Sequence, residues 1–251
     1  MTQSQGSMAA LDGPRVAPAS GPPGRLIVLV HGYGADGNDL IQLAPFLARI
    51  LPDATFVAPH APEACELAPM GRQWFGLGDY DPMTAARDLE ATESRYLGMS
   101  DRVVGAAPPL EAFIDTELAR HGLDDERLAL VGFSQGTMMS LHVGLRRARP
   151  PAAIVGFSGA LVGADRLPDE IRVRPPVLLC HGEIDDLVPL PALHLAAGGL
   201  AAAGVAVDWH VSPGLGHGID PDGLELAGRF LAEAFAGRQD SLPPEPIADG
   251  R

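Results

Sequence analysis

Positive charge is scarce in this chain of 251 residues: 18 Lys and Arg stand against 32 Asp and Glu, for a formal net charge of −14. Nucleic acids and anionic membrane surfaces are bound through clustered Lys and Arg, so this balance argues against both as partners. It favours a neutral or cationic partner and carries no information about fold. Cysteine is almost as rare. Cys65 and Cys180 make no disulfide framework, and neither falls in a CxxC spacing suited to zinc or redox work. The opening segment MTQSQGSMAALDGPRVAPASGPPGR has no basic stretch followed by an apolar core, so it does not read as a signal peptide. Long unbroken apolar runs are also missing. The nearest, PLPALHLAAGGLAAAGVAV, is interrupted by Pro191, His194 and a glycine pair, and suits a helix packed close to a sheet better than a membrane span. No internal repeat is present. The expectation is a cytoplasmic protein without stable membrane insertion.

What is present is the material of an ordinary globular core: 46% hydrophobic and 20% charged residues, in a length that accommodates one large α/β domain or two small ones. The ends, residues 1–13 and 237–251, are rich in Pro, Gly and polar residues and read as flexible tails around a domain at 14–236. Inside it, apolar runs of strand length alternate with segments of helical period. The runs are RLIVLV (25–30), ATFVAP (54–59), RLALVGF (127–133), AAIVGFSG (152–159), PVLLCHG (176–182) and VAVDWHV (205–211). Runs without polar alternation suit strands buried on both faces. Between them, NDLIQLAPFLARI, SDRVVGAAPPLEAFIDTELARHGL, QGTMMSLHVGLRRAR and PDGLELAGRFLAEAFAG read as helices. The second should be capped at Ser100–Asp101 and end at Gly122, with Pro108 and Pro109 starting a new helix or sitting in a first turn. The alternation predicts a doubly wound, mostly parallel α/β sheet in a single domain, with helices on both faces. An early hairpin, PRVAPASGPPGRLIVLV, would add an antiparallel edge, where its prolines are tolerated.

In such sheets ligands bind beyond the carboxyl ends of the strands, so the residues just after each apolar run carry the information. After RLALV come Gly132-Phe133-Ser134-Gln135-Gly136 and then a helical segment. This is G-x-S-x-G in strand–turn–helix context, where a tight turn lifts the serine hydroxyl above the sheet and the opening helix N–H groups face the same place. The pattern is weak alone in a chain with 30 glycines, and the context is what makes Ser134 a nucleophile candidate. GFS recurs at Gly156-Phe157-Ser158, but no glycine stands two residues on and no periodic helix follows, so Ser158 reads as a small strand-end residue beside the site.

A serine hydroxyl needs a base to remove its proton. His31 and His181 end buried strands, where an imidazole is more often a hydrogen-bonded structural group, and His121 ends a helix. His217 lies in SPGLGHGID, a glycine-rich loop between the last strand and the last helix, from which an imidazole can lie over the sheet. The turn HGYGADG at 31–37 would let backbone N–H groups approach a ligand, so a donor near Tyr33 and the N–H of Gln135 form a two-donor oxyanion hole. The stretch HGEIDDLVP crowds Glu183, Asp185 and Asp186 past a strand. Glu183 comes too close to the strand end to reach across the site, and the residues themselves leave Asp185 and Asp186 as rivals.

HGYGADG, GFSQG, HGEIDDLVP and GLGHG, in this order, resemble the α/β-hydrolase carboxylesterases related to acyl-protein thioesterases and lysophospholipases, the phospholipase/carboxylesterase family. The order Ser134, acid, His217 is that of α/β-hydrolases. The resemblance spans residues 25–236 and implies a single-domain α/β-hydrolase fold without a large cap domain. It puts Asp185 in register with the family's acid; Asp186, where the family often has Pro, is a departure. It also implies that the backbones of Tyr33 and Gln135 supply the oxyanion hole, and that Trp74 and Phe75 line a substrate groove, with Leu187 a further substrate-binding candidate. Read from the residues alone, a Trp–Phe pair in the irregular segment 63–82 is either an apolar binding wall or a loop anchored by burying its aromatics. The expected chemistry is hydrolysis of carboxylic esters of short to medium acyl chain through an acyl-enzyme, with no metal or organic cofactor. A long-chain thioesterase or lysophospholipase is the neighbouring alternative. A non-catalytic ligand binder of the same fold is the alternative from another class, although such a protein is expected to have lost a triad member. The resemblance also allows a homodimer, which no residue of the sequence specifies.

Overall fold

In the computed structural model, which describes residues 10–78 and 89–237, the apolar runs become the strands of one sheet. In chain order the strands are β1 (Arg15–Val16), β2 (Arg25–Val30), β3 (Ala54–Val57), β4 (Glu63–Ala64), β5 (Arg72–Gln73), β6 (Leu128–Phe133), β7 (Ala153–Phe157), β8 (Val177–Gly182) and β9 (Val207–Ser212). β4 and β5 pair with each other, and the others form a sheet in the order β1-β3-β2-β6-β7-β8-β9. All pairs in it are parallel except β1 with β3. The antiparallel edge is therefore present, but it is not a hairpin. Arg15 faces Val57 and Val16 faces Phe56, while β2 sits between β3 and β6. The reason lies in RLIVLV itself: Leu26 to Val30 are all buried, and a strand so apolar needs neighbours on both sides.

Helices cover both faces: α1 (Gly37–Leu40), α2 (Ala44–Ile50), α3 (Leu89–Gly98), α4 (Ser100–His121), α5 (Gln135–Gly144), α6 (Leu167–Glu170), α7 (Pro191–Ala202) and α8 (Pro221–Phe235). Successive strand residues point to opposite faces. Leu26, Val28 and Val30 pack with Val103 and Leu110 of α4, Met139 of α5 and Leu193 of α7. Ile27 and Leu29 pack with Leu47 of α2 and Leu231 of α8. Among the described residues no helix is long and apolar enough to cross a membrane.

Helix α4 departs from expectation twice. It runs unbroken through Pro108 and Pro109. The carbonyls that lose their donors belong to Val104 and Gly105, on the exposed side of the helix, where water can satisfy them. Nor is Ser100 its cap. Met99 at the junction with α3 already has a right-handed helical backbone, leaving no extended position for a capping serine, and the Ser100 hydroxyl donates to Leu97 O at 2.6 Å instead. The N-terminal tail is also shorter than expected. His60 N donates to Asp12 O, Ala58 N donates to Pro14 O and Leu11 packs on the core, so residues 10–13 belong to the body. The rest of both tails, 1–9 and 238–251, lies outside the described residues. With the strands parallel, the carboxyl ends of β2, β6, β7, β8 and β9 share one rim, and the site is built there.

Candidate active site

Ser134 occupies the turn between β6 and α5 with φ 54° and ψ −116°, a left-handed backbone that costs a residue with a Cβ of order 1–3 kcal/mol. Its neighbours make the turn possible. A Cβ on Gly132 would overlap the carbonyl of Gly136, and one on Gly136 would overlap the carbonyl of Val30, so both G positions of the motif are steric requirements. Ser134 N donates to Phe157 O at 2.9 Å, while Ser134 O accepts from Thr137 N at 3.0 Å and opens α5. The Thr137 hydroxyl reaches Gly132 O and Phe157 O, both at 2.9 Å, and ties the elbow to β6 and β7. The positive end of the α5 dipole points at the serine.

The histidine and the acid meet directly. His217 Nδ1 lies 2.8 Å from Asp185 Oδ2 and 3.0 Å from Oδ1. A carboxylate can only accept, so the proton sits on Nδ1 and Nε2 is left with its lone pair. The imidazole packs on the ring of Phe133, the residue before Ser134, with centroids 4.8 Å apart. Asp185 is buried, and Leu187 N and Val188 N donate to its Oδ1 at 3.0 and 2.9 Å. Burial alone would push this carboxyl up, but the hydrogen bond and charge of His217 and the Val188 N–H hold it below the ordinary carboxylate range.

The rival acids part company here. Asp186 is exposed. Glu183 is exposed too, and accepts from Gly214 N at 2.8 Å, fastening the start of the His217 loop to the end of β8. His181 is buried, with Nε2 2.7 Å from Val188 O and 3.5 Å from Asp185 Oδ2, so it steadies the acid's loop. His31 is buried as well. Its Nδ1–H donates to Gly32 O at 2.8 Å and its Nε2 accepts from Ala61 N at 3.0 Å. Burial lowers the pKa of both rings, which suits neutral structural histidines. His121 closes α4 ahead of Gly122, whose φ is 64°. Ser158 is buried at the end of β7 and its hydroxyl reaches Gly218 O at 3.4 Å, next to His217. It shares the left-handed backbone of Ser134, with φ 45°. Sequence reading located it beside the site but missed that it braces the histidine loop.

Tyr33 and Gln135 start the two segments that flank the serine, and among the described residues neither backbone N–H is given to another acceptor. The Gln135 side chain does something the sequence did not disclose. Fully buried, it accepts from Trp74 N and donates to Phe75 O, both at 2.8 Å. Trp74 is 1% exposed and its indole N–H donates to His31 O at 2.9 Å. Of the two readings of the Trp–Phe pair, the anchored loop is what burial supports: both rings are packed inside, and the segment is clamped to β2 and α5. Leu187, 43% exposed beside Asp185, does face solvent. An open cleft of about 600 Å³ adjoins the glycine-rich turn, lined by Tyr33, Asp36, Asp39, Ala68 and Met70. Among the described residues no group of three or more His, Cys, Asp or Glu side chains is arranged to hold a metal ion.

The family model described as Phospholipase/Carboxylesterase matches residues 11–235. The chain is 30% identical to acyl-protein thioesterase 1 of Gibberella zeae over 246 residues, covering 92% of this chain and 97% of the relative. It is 26% identical to acyl-protein thioesterase 1 of Saccharomyces cerevisiae, covering 90% and 100%. Among solved structures, esterase PE8 superposes with a TM-score of 0.82 at 41% identity, over 90% of this chain and all of that one. SOBER1 of Arabidopsis thaliana, at 24% identity, shares the fold with a TM-score of 0.71 over 84% of this chain and 98% of its own.

Proposed function

This chain belongs to the phospholipase/carboxylesterase family and is a serine hydrolase of carboxylesterase type; from that premise we propose that Ser134, His217 and Asp185 are its catalytic triad. The observation that carries the assignment is the placement of the Asp185-bound His217 ring on Phe133, beside a serine held in a left-handed elbow. His217 Nε2 takes the Ser134 proton as Oγ attacks the carbonyl carbon of the ester. The N–H groups of Tyr33 and Gln135 hold the oxyanion. The imidazolium, stabilised by Asp185, then protonates the leaving alcohol, and the acyl group stays on Ser134 as an ester. Water enters, gives its proton to His217 and attacks the acyl carbon; collapse releases the acid and returns the proton to Oγ.

The substrates are carboxylic esters of short to medium acyl chain, received at the rim that carries Ser134, with the half-exposed Leu187 beside Asp185 as a substrate-contacting side chain. A second reading, hydrolysis of long-chain acyl thioesters, is favoured by the relatives named acyl-protein thioesterase and by the exposed apolar side chains of Leu67 and Met70 on the cleft's outer loop. Two buried free thiols, Cys65 and Cys180, suit a reducing compartment, which supports the reading of a cytoplasmic enzyme. A fluorophosphonate probe should label the native enzyme and fail on Ser134→Ala. Esterase turnover of that variant should fall by several orders of magnitude. Unchanged turnover, or no labelling of well-folded native protein, would overturn the triad. A series of p-nitrophenyl esters from acetate to palmitate, run beside an acyl thioester and a lysophospholipid, separates the two substrate readings.

A further inference from the structure

A peptide group is planar and, among the described residues, trans throughout, so its C=O and N–H point in opposite directions. Whatever holds a carbonyl therefore also aims the N–H of the next residue. In the turn after β2, the peptide joining Gly32 to Tyr33 carries the N–H assigned to the oxyanion, and its other end is Gly32 O. That carbonyl accepts from Nδ1 of the His31 ring at 2.8 Å and from Ala35 N at 3.4 Å. The turn lies against the elbow: a Cβ on Gly32 would stand 3.2 Å from the Cβ of Ser134. The groups on either side are already bonded. His31 O accepts from the Trp74 indole, and Gly34 N donates to Arg72 O, both at 2.9 Å.

The imidazole can do this in one form only. It is fully buried, and at its far end Nε2 accepts from Ala61 N at 3.0 Å. A carbonyl on one side and an N–H on the other fix the proton on Nδ1. A second proton would set two N–H groups against each other at Ala61, and burial opposes it by pushing the pKa of the ring down. The two bonds differ in what they connect. The one at Nε2 ties the end of β2 to the segment after β3, which is fold-building work. The one at Nδ1 returns to the residue next in the chain and joins no two elements; its effect is on the direction of a single peptide. We infer that His31 is a positioning residue for the hydrolysis: its Nδ1–H holds Gly32 O and thereby keeps the Tyr33 N–H turned to the place where the ester oxygen becomes an oxyanion. This role depends on the Tyr33 N–H serving the oxyanion hole as proposed.

Two substitutions separate the ring nitrogens, because an asparagine amide nitrogen lies as many bonds from Cβ as Nδ1 does, and a glutamine amide oxygen as many as Nε2. His31→Asn can still donate to Gly32 O. His31→Gln can accept from Ala61 N but leaves Gly32 O unheld. On p-nitrophenyl acetate, His31→Gln should lose about 100-fold in kcat, the effect of losing one oxyanion donor, with KM within about threefold of native. His31→Asn should keep kcat within about tenfold, although both variants unfold at lower denaturant than the native chain. Equal kcat values in the two variants, or a higher one in His31→Gln, would overturn the positioning role. A measurement on the native enzyme needs no variant to fold: nitrogen NMR should find His31 with its proton on Nδ1 at pH 6.5 and above, and a proton on Nε2 instead would also overturn the role. Ser134→Ala, assayed alongside, keeps two failures apart. Lost turnover there with an unaffected His31→Gln sinks the positioning role alone, whereas unchanged turnover in Ser134→Ala sinks the triad and this role with it.

Discussion

Replacing Asp185 by asparagine exchanges one oxygen for an amide nitrogen, and the surrounding hydrogen bonds decide which one. Oδ1 accepts from Leu187 N at 3.0 Å and from Val188 N at 2.9 Å, so that position must stay an oxygen. The new NH2 group is forced to the Oδ2 position, 2.8 Å from His217 Nδ1. An N–H facing Nδ1 requires a bare nitrogen there, which moves the imidazole proton to Nε2, the atom that must receive the proton of Ser134. The fold survives and the base is lost. The same exchange in a serine protease triad lowers kcat about 10⁴-fold, and a barrier increase of about 5.5 kcal/mol is expected here. Asp186, exposed and one residue on, makes no such contact, and Asp186→Asn should stay within about threefold of native. Initial rates on p-nitrophenyl acetate with both variants, alongside their thermal unfolding, check this. If Asp185→Asn retains turnover within tenfold, or Asp186→Asn is the more damaging, the tautomer reasoning and the acid assignment are both refuted.

Three further outcomes follow from the same geometry. Gln135→Ala keeps the backbone N–H assigned to the proposed oxyanion hole but strands Trp74 N and Phe75 O in the interior; stability should drop by roughly 2–4 kcal/mol in denaturant titrations, with kcat lowered as that segment loosens. Gly136→Ala drives a Cβ into the Val30 carbonyl, and a loss of at least about 3 kcal/mol, with activity abolished, is expected by calorimetry and rate assay. His142 of α5 is held by burial, and secondarily by Arg146, well below its ordinary 6.5, at about 4. Its contribution is present in full above pH 6.5. As pH falls towards 4 the unfolded chain takes up a proton that the folded chain refuses, costing about 1.4 kcal/mol per pH unit. His142→Gln should flatten the decline of unfolding free energy between pH 6.5 and 4, and an unchanged slope would contradict this.

Much of the architecture was readable because its signals are local. A run such as RLIVLV, with no polar residue inside it, has to be a strand covered on both faces, and glycines on either side of Phe133-Ser134-Gln135 announce a turn that a larger residue would obstruct. What misled the reading was also local. Proline arithmetic predicted a break in α4 at Pro108, yet the orphaned carbonyls fall on the solvent side. Proximity in sequence suggested that β1 would fold back on β2, yet β1 crosses to β3. Tryptophan beside phenylalanine left a groove wall and an anchored loop equally open, and the buried glutamine side chain that pins the segment from underneath has no local signal.

The sequence by itself determined which residue types stand at the strand ends: a serine in a tight elbow, a histidine in a glycine-rich loop, and a pair of acids between them in chain order. Such features depend on backbone sterics and burial over a few residues, and these are written locally. Only the tertiary structure separates Asp185 from Asp186, because it fixes which carboxylate turns inward to two backbone N–H groups and an imidazole 32 residues away. Likewise, β9 became an edge strand only once the sheet order left it outermost among the described residues. Its letters read the same at the start, but a strand's free hydrogen bonds exist only after its neighbours have been assigned.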